Sequence, residues 1–220
     1  LGDASQTGTV TLGGGSSVTL GDLDIGAGAF DVVIDTPYTV NVNSAVEFLN
    51  SGNLSITTGA GQSSYVKFRD GLNATAVSQL NFFGAVRTEN APIDVSDVVI
   101  TNPNNYSYPL GAFFTAESGS EPGGSVTLQS LDTGGGYVGY TTGVTGQFIL
   151  SQDSTITGFG LQGTGDFKAL GNITVGEVGN TTAINTTGEQ NYASDVTLAG
   201  NANFTGNSAT FANGVLGGNN

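Results

Sequence analysis

The sequence predicts an all-β chain built as a parallel β-solenoid. Three observations lead there: short runs with an apolar residue at every second position, glycine-rich corners between them, and an internal period of about 20 residues in the last third. The alternation runs through Thr9-Val10-Thr11-Leu12, Ser17-Val18-Thr19-Leu20, Asp22-Leu23-Asp24-Ile25, Tyr38-Thr39-Val40-Asn41-Val42 and Asn53-Leu54-Ser55-Ile56-Thr57. It resumes in Ser125-Val126-Thr127-Leu128, Asn172-Ile173-Thr174-Val175 and Asp195-Val196-Thr197-Leu198. A period of two places one side of each run inside and the other in solvent, as in a half-buried strand.

The corners are supplied by Gly13-Gly14-Gly15, Gly59-Ala60-Gly61, Gly134-Gly135-Gly136, Gly179-Asn180 and Gly217-Gly218-Asn219, residue types that tolerate positive φ. No stretch shows helical amphipathicity, and Asn73 to Phe83 reads either as a strand or as a short irregular excursion. The period is clearest where Asn172-Ile173-Thr174-Val175 recurs as Asp195-Val196-Thr197-Leu198 after 23 residues. Thr182-Ala183-Ile184-Asn185 recurs more loosely as Ala202-Asn203-Phe204-Thr205 after 20. Three short strands in that span make one triangular coil, whose inward side is buried only when neighbours stack on it. An antiparallel β-sandwich, with strands every 8–12 residues, is the alternative fold.

Composition bounds the function. With 37% hydrophobic and 10% charged residues in 220 positions, the chain carries enough apolar side chains to fold, as a single elongated domain over 1–220. The net charge of −14, with only Lys67, Arg69, Arg87 and Lys168 basic, argues against nucleic acid and anionic membranes as partners. No run approaches the ~20 apolar residues of a membrane-spanning helix. No charged and apolar leader opens the chain at Leu1, so any signal peptide is expected to lie outside it. Cysteine is absent; an extracellular chain of this size without disulfides is expected to rely on repetitive hydrogen bonding and stacking.

The segment from Thr187 to Val215 resembles the repeats of filamentous-haemagglutinin-type adhesins. Gly188-Glu189-Gln190-Asn191-Tyr192 is similar to a corner of that family, and Val196-Thr197-Leu198 and Thr210-Phe211 to the rungs that follow it. Gly171-Asn172-Ile173-Thr174-Val175 and Gly124-Ser125-Val126-Thr127-Leu128 look like the same rungs, and the resemblance covers roughly residues 171 to 216. It implies a right-handed parallel β-helix, exported and displayed on a bacterial surface. The secretion domain of that family carries a Val-Asn-Pro-Asn-Gly element; the nearest echo here, Thr101-Asn102-Pro103-Asn104-Asn105, departs from it and reads as an ordinary turn.

The chemistry-bearing residues are few. Without His or Cys there is no Ser-His-Asp triad, no Cys-His pair and no ordinary zinc site. Gly158-Phe159-Gly160-Leu161-Gln162-Gly163 spells a dinucleotide fingerprint but lacks the following helix that motif requires, so its glycines are read as corners. Asp22 and Asp24 are expected on one face of a strand, with Asp94 and Asp97 as a second acidic pair; solvated acids are the plain reading and a surface Ca²⁺ site the alternative. Lys67 and Arg69 share one side of a strand, and Asp70 beside them is expected to neutralise them locally. No other cofactor is expected.

The best candidate for a binding surface is aromatic: Tyr106, Tyr108, Phe113 and Phe114, in a segment around 101–123 poor in rungs and expected to project as a loop, stacking on sugars or on another protein. Core packing of Phe113 or Phe114 alone explains part of this pattern. The expected function is a non-catalytic extracellular structural or adhesive protein, associating end to end into a filament or sheath or forming part of a larger adhesin. Its partners are then itself and host or matrix glycans. The alternative is a polysaccharide-binding or polysaccharide-processing β-helix, lyase- or hydrolase-like, which shares the architecture.

Overall fold

The computed structural model describes residues 1–59, 63–101, 111–116, 123–142 and 145–217. Among them the chain is all-β, with twenty-six strands, no helix, and parallel stacking into a β-solenoid of about 9 turns. Every named strand pair is parallel; the antiparallel contact among the described residues is an isolated bridge, Glu177 to Asn180, at a corner. The antiparallel sandwich is thereby excluded.

The coils have three faces. The first runs from Thr7–Gly13 through Leu54–Thr58, Val98–Ile100, Ser154–Ile156, Ile173–Val175 and Val196–Leu198 to Val215–Gly217. The second runs from Val18–Leu20 through Val66–Phe68, Ala112–Ala116, Tyr137–Thr142 and Gly160–Thr164 to Asn201–Thr205. The third runs from Val46–Asn50 through Ile93–Val95, Gln147–Leu150 and Glu189–Tyr192 to Ser208–Phe211. Two long strands serve two faces each: Ile25–Thr36 turns from third to first, and Leu80–Arg87 from first to second. At the second of these bends Gly84 has φ 114°, and a Cβ there would lie 2.0 Å from the Thr58 hydroxyl oxygen of the coil below. That hydroxyl accepts the Ala85 N–H and donates to the Ser64 carbonyl, so the corner is closed by hydrogen bonds that need a glycine.

The parallel ladder turns alternation along the chain into columns along the solenoid. Val32, Leu54, Leu80, Val98 and Leu131 are successive register partners, all buried, and Ile34, Ile56, Phe82 and Ile100 form the next column. Aromatic rings fill the interior of the later coils: Phe114 to Phe148, Phe148 to Phe167, Phe167 to Tyr192 and Tyr192 to Phe211 are consecutive contacts at 6.3, 6.2, 5.5 and 4.7 Å between centroids. The two offsets read from the sequence are true coil lengths: Ile173 pairs with Val196 and Thr182 with Ala202. Coil length is not constant, since Val98 pairs with Leu131, 33 positions on.

Three local expectations need correction. Asp22-Leu23-Asp24 is a corner preceding the strand Ile25–Thr36, because the Asp22 carboxylate accepts from the Leu23 N–H and the Ser44 hydroxyl; only Leu23 and Ile25 turn inward. Asn73 to Phe83 is neither one strand nor a free excursion. Leu72–Ala74 and Leu80–Arg87 flank a bend begun by the Asn73 side chain, which accepts from the N–H and hydroxyl of Thr75. The 101–123 region does not project as a whole: Ala112–Ala116 is a second-face strand in register with Tyr137–Thr142, while 102–110 and 117–122 lie outside the described residues.

Two buried tyrosines make a natural comparison. Tyr192 donates from its hydroxyl to the Gln190 Oε1 at 2.9 Å, and the Gln190 amide nitrogen donates in turn to the carbonyls of Ile184 and Thr205. Tyr140, 3% exposed and stacked on Phe148 at 4.6 Å, carries a buried hydroxyl without a hydrogen-bond partner. Burial first, and then the charge of Asp166, pushes its ionisation far above the usual tyrosine range. An unsatisfied buried hydroxyl is destabilising by about 1–3 kcal/mol. Tyr140→Phe is therefore expected to raise stability by about 1 kcal/mol, and Tyr192→Phe to lower it by a similar amount. Urea denaturation of the two variants beside the parent checks the opposite signs.

Candidate functional site

The alternation of the strand Ala112–Ala116 separates two of the aromatics expected to act together. Phe114 points inward, fully buried against Phe82 at 4.8 Å, and belongs to the core. Phe113, one residue before it, faces outward and is half-buried. Neighbours in a strand cannot share a face, so of the two only Phe113 lies on the outer surface. Tyr106 and Tyr108 lie outside the described residues.

Phe113 has a partner the sequence did not reveal. Tyr137, at the start of the next second-face strand, sets its ring 5.7 Å from that of Phe113 and at 55° to it. Gly139 is the register partner of Phe113, and both rings close over it: a Cβ there would stand 2.6 Å from Phe113 Cδ1 and 3.2 Å from Tyr137 Cε1. One coil further, Gln162 pairs with Gly139, and its Oε1 accepts from the Tyr137 hydroxyl at 3.3 Å. Partial burial raises the Tyr137 ionisation above its ordinary value, so the hydroxyl is neutral and a donor over the physiological range. Beside the rings Thr115, Thr141 and Thr164 are register partners in three successive coils, a row of hydroxyls along the solenoid axis. Together these residues bound a groove of about 220 Å³, and among the described residues that line it none is charged.

The larger concavity, about 600 Å³, lies over the third face of the early coils. Its apolar lining includes Leu23, Leu49 and Leu72, and its acids are Asp24, Glu47, Asp70 and Asp94. Asp24 thus stands in an acidic groove, while Asp22 is engaged with Ser44, and Asp97 accepts from the Ser130 hydroxyl at 2.8 Å away from Asp94. No three carboxylates among the described residues gather closely enough to hold a metal ion.

Lys67, Arg69 and Arg87 are engaged by residues of other coils rather than by the adjacent acid. Lys67 and Arg69 both pair with Glu89, Arg69 at 2.9 Å, and Arg87 lies 4.2 Å over the Tyr65 ring. The hydrogen bond from Lys67, more than any other influence, holds the Glu89 carboxyl below the usual carboxylate range. Asp70, expected to neutralise the pair, lines the acidic groove instead. The glycines of the nucleotide-like spelling have two roles. Gly158 and Gly160, at φ 63° and 83°, form a corner, whereas Gly163 lies within a strand and a Cβ there would meet the Tyr140 ring at 2.4 Å. No helix follows, so no phosphate cradle exists there.

Comparison with known proteins finds no matching family model, no matching curated protein and no matching solved structure.

Proposed function

We propose that the chain is a non-catalytic structural or adhesive protein of the bacterial cell surface, whose coils stack end to end on those of further copies or on those of a larger adhesin of which it is part. The supporting observation is the contrast between the middle and the ends of the stack. Inward positions that are fully buried in the central coils are open in the outermost ones: Val10, Leu12, Leu20, Phe204 and Phe211 are only partly covered, and Val215 is 42% exposed. Residues 4–21 and 196–220 contain no charged side chain and no proline, so these coils carry nothing that repels a further coil stacked on them. The 18 acidic residues are confined to the remainder, where they keep copies apart side by side and leave the ends as the surfaces of approach.

The resemblance of residues 171–216 to filamentous-haemagglutinin-type repeats supports display outside the cell. The absence of His and Cys and the pairing of Lys67 and Arg69 with Glu89 support a role without turnover. No helix among the described residues is long and apolar enough to cross a membrane.

Head-to-tail contacts do not close, so assemblies should lengthen with protein concentration and show no preferred size. Because lateral repulsion is screened by salt, association should strengthen as ionic strength rises. Sedimentation velocity over a concentration series at two salt levels reads both effects, and a monomer throughout overturns the stacking. The same preparation should release no reducing ends from pectate or a neutral glucan.

A further inference from the structure

We propose that the groove bounded by Phe113, Tyr137, Thr141, Gln162 and Thr164 binds a neutral carbohydrate. Four features of the site select that ligand class. The two rings are inclined at 55°, so one offers its face and the other its edge to the apolar side of a sugar ring. The threonine hydroxyls of three coils and the Gln162 side chain supply both donors and acceptors, the complement of a sugar's hydroxyl groups. Among the described residues no lining side chain is charged, so those residues offer neither an attraction for a cation nor a counter-charge for an anion. Finally, three coils span about 10 Å at the usual strand spacing, room for about two sugar units of a polymer lying along the solenoid axis.

At about 220 Å³ the groove is smaller than the pockets that enclose a whole small ligand. It suits a few internal units of a longer chain, held weakly at each site. Gly139 builds the site by omission: its missing side chain is what allows both rings to settle against the sheet. If copies stack as proposed above, successive grooves present a repeated array and weak sites add through multivalency. The site itself does not depend on stacking.

Affinity electrophoresis in gels containing a β-glucan, a galactomannan or dextran, with polygalacturonate and heparin as anionic comparisons, tests the assignment. Retardation is expected on at least one neutral polymer and on neither anionic one. Tyr137→Ala should weaken the neutral interaction about tenfold or more, Phe113→Ala should act in the same direction, and Tyr38→Ala, at an exposed aromatic remote from the groove, should leave it unchanged. Thr141→Val, which removes one groove hydroxyl without touching the core, should also weaken binding, and it serves if an aromatic variant melts early. Absence of retardation on every neutral polymer, retardation on the anionic ones instead, or groove variants that fold and migrate like the parent would each overturn the proposal. Because retardation of dilute monomer suffices, the result is separate from whether the ends associate.

Discussion

Replacing either Ile173 or Val196 with aspartate is expected to unravel the later coils. The two residues are register partners on the first face, 1% and 0% exposed, each covering the other from water. An unpaired carboxylate placed there loses its hydration and finds no counter-charge, a penalty of several kcal/mol against a typical total stability of about 5–15 kcal/mol. Each coil relies on the two beside it, so the damage should spread to neighbours and leave the distant early coils folded. Amide hydrogen exchange should show protection lost in the strands near 154–198 and kept near 46–58. Thr197→Asp is the control: Thr197 is exposed, and the same charge there should shift stability by no more than about 0.5 kcal/mol. If Ile173→Asp and Val196→Asp melt like the parent, these residues do not face inward.

The contrast between residues 196 and 197 also shows what a sequence of this kind discloses. Alternation is local physics, so the side of the strand on which Val196, Thr197 and Leu198 each lie can be read directly. The offset from Ile173 to Val196 could be read as well, because the corners between them are of ordinary length. Register across a longer corner is another matter. Between Val98 and Leu131 the coil has 33 residues, and no periodicity states how many of them belong to corners. The pairing of Phe113 with Gly139, and hence the approach of Tyr137, was therefore hidden, although each strand was short and alternating. The same blindness placed Asp70 beside Lys67 and Arg69, where their partner Glu89 comes from the following coil. A ladder that stacks side chains from distant positions makes its contacts through register, and register is settled by the lengths of the corners.

Corners carry the second large effect, and two glycines with nearly the same φ isolate its cause. Gly135 has φ 82° and Gly160 φ 83°, so replacing either by alanine incurs a positive-φ penalty on the order of 1 kcal/mol. Around Gly135 a new Cβ would meet nothing within 4 Å. At Gly160 it would lie 2.0 Å from the carbonyl oxygen of Ala183 in the next coil, and within 2.9 Å of that residue's nitrogen and carbonyl carbon. These are backbone atoms of Thr181–Thr186, a strand paired on both sides, so they cannot swing aside as the end of a side chain would. Relief requires the coils to separate locally, lengthening ladder hydrogen bonds and opening the contact of Leu161 with Ile184 beneath them. Gly160→Ala should therefore lose about 3 kcal/mol or more, and Gly135→Ala only about 1 kcal/mol. Urea midpoints for the pair measure the difference directly. Equal losses would mean that backbone conformation alone fixes the corner; a much larger loss at Gly160 would mean that the glycine is held there by the closeness of the next coil.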